Sequence, residues 1–139
     1  MEILEFKSSA LQETEEIAKV FAQKLKLGDV VLLKGELGAG KTFFISCICE
    51  YFGIRDARSP SFKIINIYEG DVKIYHLDFY RIKDKEEIFQ LGIDEILNEE
   101  AIFFIEWPEI FMDYLKNCWV VEFEFENEDT RKIRIYKNE

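Results

Sequence analysis

Gly35-Glu36-Leu37-Gly38-Ala39-Gly40-Lys41-Thr42 matches the pattern G-x-x-x-x-G-K-[ST] at every fixed position. Glycines let the backbone turn sharply and approach a ligand closely, so that successive N–H groups converge on an anion. Lys41 adds a mobile positive charge suited to the outer phosphates of a nucleotide, and Thr42 adds a hydroxyl of the kind that ligates Mg²⁺. A helix opening at this point aims the positive end of its dipole at the same place. The alternative is a glycine turn that merely joins strand to helix. With glycine at about 7% of residues, the fixed positions coincide by chance only about once in a few hundred chains of this length. The pattern therefore predicts binding of ATP with magnesium, with Gly38, Ala39, Gly40, Lys41 and Thr42 around the phosphates.

Such a loop binds phosphates; hydrolysis also needs an acid near the magnesium and a group that orients water. Two acids close apolar runs: Asp78 ends Ile74-Tyr75-His76-Leu77-Asp78, and Glu106 ends Ala101-Ile102-Phe103-Phe104-Ile105-Glu106. Strand ends beside the loop are where an α/β fold gathers its ligand chemistry. Either acid can hold Mg²⁺ directly or through water while the other polarises the attacking water; the bland reading of each is a solvated strand-end carboxylate. Lys41, Asp78 and Glu106 form the candidate catalytic set, and Thr42, Glu106 and Asp78 the candidate metal set. His76, the only histidine, projects from the same strand face as Asp78. It is either catalytic or a hydrogen-bonded packing residue that orients Asp78. Arg81 either neutralises phosphate charge or is a surface arginine. Trp107, biased to an extended backbone by Pro108, is either a packing plug or a reporter of nucleotide state. Ser59-Pro60-Ser61-Phe62 reads as a turn, and as a nucleotide sensor only weakly.

These residues need a scaffold. Val30 to Lys34 is short, continuous and apolar, as a central strand buried on both faces should be, and the loop follows it directly. Lys41 to Phe52 reads as the next helix, ending before Gly53. Glu2 to Lys7 alternates like an edge strand. Ser8 and Ser9 then offer N-caps to a helix with Leu11, Ile17, Ala18, Phe21, Ala22 and Leu25 at helical spacing, ending at Gly28. Phe62–Tyr68 and Val72–Tyr80 flank the turn Glu69-Gly70-Asp71 as a hairpin. Asp84 through Leu91 looks helical, Ala101 to Ile105 is a buried strand, and Trp119–Phe125 and Lys132–Tyr136 are alternating strands joined by a polar turn. The expected fold is an α/β P-loop NTPase, a three-layer sandwich with a mixed, partly parallel central sheet and antiparallel edge strands. A single domain is expected over 1–139.

Composition narrows the function. The 139 residues carry a formal net charge of −10, whereas a protein that grips nucleic acid unaided offers a basic face. Tight direct binding of DNA or RNA is therefore not expected. No apolar run approaches the roughly 20 residues of a membrane span, and the start lacks the basic and apolar regions of a signal peptide. A cytoplasmic protein that makes no use of a membrane is the expectation. Cys47, Cys49 and Cys118 are odd in number and lack zinc-site spacing, so buried free thiols are expected.

Read together, GELGAGKT, SPSF, HLDFYR, LGIDEIL and IEWPE occur in an order and at spacings that resemble the TsaE family, formerly YjeE, bacterial ATPases of tRNA threonylcarbamoyladenosine biosynthesis. The resemblance runs from the first helix to Glu109. It implies that Thr42 and Glu106 lie at the magnesium, that Asp78 belongs to the second acidic motif, and that Thr14 lies near the nucleotide. It also implies partnership with the TsaB–TsaD pair, with tRNA engaged only through them, and a weak ATPase stimulated by those partners that supports repeated threonylcarbamoyl transfer. Two departures stand out, since the family usually reads GKTT and SPTF: Phe43 follows Thr42, at a position that need not touch phosphate, and Ser61 replaces a threonine.

Rival readings are a small-molecule kinase, for which the short chain leaves little length for a lid, and a nucleotide-gated binding module that does not turn over. A GTPase is disfavoured because no N-K-x-D-like segment is present to read guanine.

Overall fold

The computed structural model describes residues 2–36, 38–57 and 63–138. Chain order runs β1 (Leu4–Ser8), α1 (Leu11–Ala22), β2 (Val30–Lys34), α2 (Lys41–Tyr51), β3 (Ile65–Glu69), β4 (Lys73–Asp78), α3 (Lys85–Gln90), α4 (Ile93–Ile96), β5 (Ile102–Glu106), a 3₁₀ helix (Pro108–Tyr114), β6 (Trp119–Phe125) and β7 (Arg131–Lys137). The strands form one seven-stranded sheet in the order β1-β7-β6-β2-β5-β4-β3. Its centre is parallel, β6-β2-β5-β4, and antiparallel pairs flank it on both sides. The three-layer sandwich expected from the sequence is therefore present.

Strand parity divides the core. Val31, Leu33, Ile74, Ile102 and Phe104 face one side and pack with Ile17, Phe21, Phe44 and Ile48 of α1 and α2. Leu32, Tyr75, Leu77, Phe103 and Ile105 face the other and pack with Ile88, Ile93 and Phe111. Each such side chain taken wholly out of water contributes about 1.5–3 kcal/mol. Because side chains alternate along a strand, His76, Asp78 and Glu106 share the side on which α2 lies, at the carboxyl ends of their strands.

Several local details depart from the sequence reading. The N-cap of α1 is Ala10, without a side-chain cap. Ser8 instead turns inward, its hydroxyl bonding Ala10 O at 2.8 Å and Thr14 Oγ1 at 2.6 Å. That helix stops at Ala22 and not near Gly28, because Lys24 and Leu25 tighten onto carbonyls three residues back and the Gly28 N–H goes to Ala101 O. Asp84 caps α3 rather than lying within it, accepting from the Glu86 N–H at 3.0 Å. The short α4 and the 3₁₀ helix were not foreseen. No described helix is long and apolar enough to cross a membrane. All three cysteines are buried and free; burial pushes the Cys49 thiol up to about 12.

Candidate functional site

The central strand β2 delivers the chain into the glycine loop, and α2 leaves it at Lys41. Two glycines are dictated by geometry. A Cβ on Gly35 would lie 2.9 Å from Phe123 O and 3.0 Å from Phe123 Cβ on β6, so the loop can cross that strand only without a side chain. Gly40 caps α2 in a left-handed conformation, φ 106°, which a side chain disfavours. The path of the loop thus requires glycine at both positions.

Beside it lies a cleft of about 390 Å³, within the size range of small-ligand sites. Gly38, Gly40, Lys41 and Thr42 form its loop wall, and Asp78, Glu106 and Trp107 the opposite one. Lys41 is only 4% exposed; its Nζ donates to Gly35 O at 2.5 Å and lies 3.6 Å from the Trp107 ring centroid. Burial lowers its pKa, opposed by the carboxylates of Glu106, Glu109 and Asp78. Thr42 Oγ1 donates to Glu106, 3.3 Å from Oε1 and 3.2 Å from Oε2. A threonine hydroxyl that gives its proton to a carboxylate keeps its lone pairs free for a cation.

Asp78 and Glu106 are register partners on the parallel pair β4 and β5, which brings both acids to one rim. Asp78 is half-buried and accepts from the Tyr80 N–H at 3.0 Å. Burial raises its pKa, the Tyr80 N–H opposes this, and Glu106 adds to the rise. His76 is wholly buried, with Nε2 2.6 Å from Glu106 Oε2. The histidine therefore holds Glu106 and not, as the sequence suggested, Asp78.

Hydroxyl and carboxylate oxygens are hard donors of the type Mg²⁺ takes in small number, leaving the rest of its shell to phosphates and water. The Thr42–Glu106 pair with Asp78 fits that requirement. Arg81 and Phe43 also line the cleft. Ala39 is buried behind the loop. Thr14 is not among the described residues lining the cleft; it is buried against Ser8. Trp107 has a left-handed backbone, φ 55°, rather than an extended one. Leu37 and the segment 58–62, which holds the expected Ser59-Pro60-Ser61-Phe62 turn, lie outside the described residues.

Sequence reasoning missed two residues. Tyr80 lines the cleft and packs against Trp107 at 4.9 Å between ring centroids. Arg131, first in β7, reaches the loop from far along the chain and donates to Gly38 O at 3.3 Å. Pairing of β7 with β6 brings it there, and the alternating pattern of that strand marks faces without marking neighbours.

Comparison with known proteins identifies the family. The family profile described as "Threonylcarbamoyl adenosine biosynthesis protein TsaE" matches residues 8–133. Among similar sequences, the tRNA threonylcarbamoyladenosine biosynthesis protein TsaE of Rickettsia typhi is 49% identical over 107 residues, 75% of this chain and 74% of that relative. The Bacillus subtilis protein of the same name is 39% identical over 117 residues, 83% and 73% of the two chains. The crystal structure of Bacillus subtilis YdiB superposes with a TM-score of 0.82 at 30% identity, covering 99% of this chain and 87% of that one. A P-loop NTPase fold, a glycine loop facing two strand-end acids, and a family match over nearly the whole length converge on one assignment: this chain belongs to the TsaE family.

Proposed function

We propose that this protein is a Mg²⁺-dependent ATPase of tRNA threonylcarbamoyladenosine biosynthesis, weakly active alone and stimulated by the TsaB–TsaD pair to support repeated threonylcarbamoyl transfer. The observation that carries the reading is the Thr42 hydroxyl bonded to the Glu106 carboxylate across the mouth of the loop. It joins the glycine motif to a strand-end acid in one cleft. The loop amides and Lys41 bind the triphosphate; Thr42 and Glu106 hold the metal, directly or through water, with Asp78 beside them. Bound Mg²⁺ supplies charge neutralisation on the phosphates. Asp78, half-buried with one oxygen tied to Tyr80, orients the attacking water from the other strand end. Arg81 lies at the cleft wall, from which it would neutralise phosphate charge.

Family membership supports the pathway and the partners. A net charge of −10 suits a subunit that leaves tRNA to others, and a cytoplasmic location accords with that pathway. Phosphate release from Mg·ATP, measured with and without TsaB–TsaD, tests the proposal. Stimulation is expected; its absence argues for a nucleotide-gated module without turnover, and phosphate appearing on an added small-molecule acceptor would mark a kinase.

A further inference from the structure

We propose that His76 is a positioning residue that sets the Glu106 carboxylate for magnesium, an assignment that rests on Glu106 being the acid at the metal. His76 is 1% exposed and Glu106 4% exposed, so both side chains depend chiefly on protein partners for their hydrogen bonds. An ionised carboxylate only accepts hydrogen bonds, so the imidazole Nε2, 2.6 Å from Oε2, carries the proton between them. A buried carboxylate without donors is strongly disfavoured, and among the described residues His76 donates to it from within the sheet and Thr42 Oγ1 from the loop.

The arrangement is asymmetric. Among the described residues, Oε2 takes both the imidazole and the threonine, whereas Oε1 takes the threonine alone, at 3.3 Å. Glu106 is thereby fixed in one orientation with its less engaged oxygen left for the cation or its water. Register explains why a histidine serves. His76 stands opposite Phe104 on β5, two residues before Glu106 on the same sheet face, so the acid must be reached diagonally. The Asp78 carboxylate takes its hydrogen bond from the Tyr80 N–H instead. Partners of this outer kind, which orient a metal ligand without touching the metal, commonly cost about 10–100-fold in metal affinity or activity when removed.

As the only histidine, His76 gives an uncrowded ¹⁵N-imidazole spectrum. In metal-free buffer we expect an Nε2–H proton protected from exchange in the wild type and lost in Glu106→Ala; an unprotected or unchanged signal overturns the pairing. In His76→Leu, ADP affinity without magnesium should stay within about twofold, while the magnesium concentration for half-maximal tightening rises about 10–100-fold and kcat falls at little-changed KM. His76→Gln, whose amide donates from nearly the same place, should recover most of both. Wild-type magnesium dependence in His76→Leu, an equal loss of magnesium-free affinity, or a folded His76→Gln as impaired as the leucine variant each overturns the proposal. Should His76→Leu not fold, the glutamine variant and the imidazole spectrum decide. A wild type that binds no Mg·nucleotide defeats the proposed function, and the spectrum then still decides the pairing itself.

Discussion

The Lys41 ammonium lies 3.6 Å from the centroid of the Trp107 ring while it donates to the Gly35 carbonyl. A cation over an indole face is held by the ring quadrupole, so a phosphate that draws Lys41 outward disturbs the indole. Addition of Mg·ATP should change the tryptophan emission of Trp119→Phe, which keeps Trp107, and leave that of Trp107→Phe unchanged. Equal responses in the two variants would show that the lysine and the ring are not linked to binding.

Lys41→Ala removes the charge and its charge-assisted bonds, each worth about 1.5–3 kcal/mol. Affinity for Mg·ATP should fall by about 10–100-fold or more, measured by calorimetry. Unchanged affinity would refute the phosphate cradle.

Glu106→Gln keeps the shape and removes the charge. Nucleotide binding should survive within several-fold, while phosphate release with TsaB–TsaD falls about 10²–10⁴-fold, the range for loss of a positioned acid–base or metal-holding group. Wild-type turnover in that variant would leave Asp78 as the working acid.

Burial raises the Asp78 pKa above its ordinary 3.8, so the folded state holds that proton more tightly than the unfolded one. The sign follows: the stabilising contribution is complete below the unfolded value, is lost as pH rises through the folded value, and leaves an ionised group that weakens the fold at neutrality. Asp78→Asn should therefore raise Tm by a few degrees at neutral pH in metal-free buffer, with the gain vanishing below about pH 3.8, while turnover drops. A lower neutral Tm in this variant would contradict the burial argument.

Away from the cleft, a Cβ on Gly70 would meet Phe52 O at 2.5 Å and Ile54 Cγ1 at 2.6 Å. One of these is backbone and cannot swing aside, so Gly70→Ala should cost about 1–3 kcal/mol in urea unfolding. Nucleotide affinity should be nearly unaffected.

The parts of the site legible in the sequence are those encoded contiguously. The loop, the strand before it and the helix after it form one uninterrupted stretch, and each acid closes a visible apolar run. What needed the structure is contact between strands. That His76 holds Glu106 follows from the β4–β5 register, and the approach of Arg131 to Gly38 follows from β7 joining β6. Neither pairing is written in a local pattern. Local chemistry also misled at Ser8, where the hydroxyl that resembled a helix cap was taken by Thr14.

The left-handed turn at Trp107 comes directly after Glu106, so adjacent peptide units place the carboxylate at the loop and lay the indole across Lys41. The two cannot be adjusted separately: a single residue inserted between them would shift one against the other and break the shared geometry.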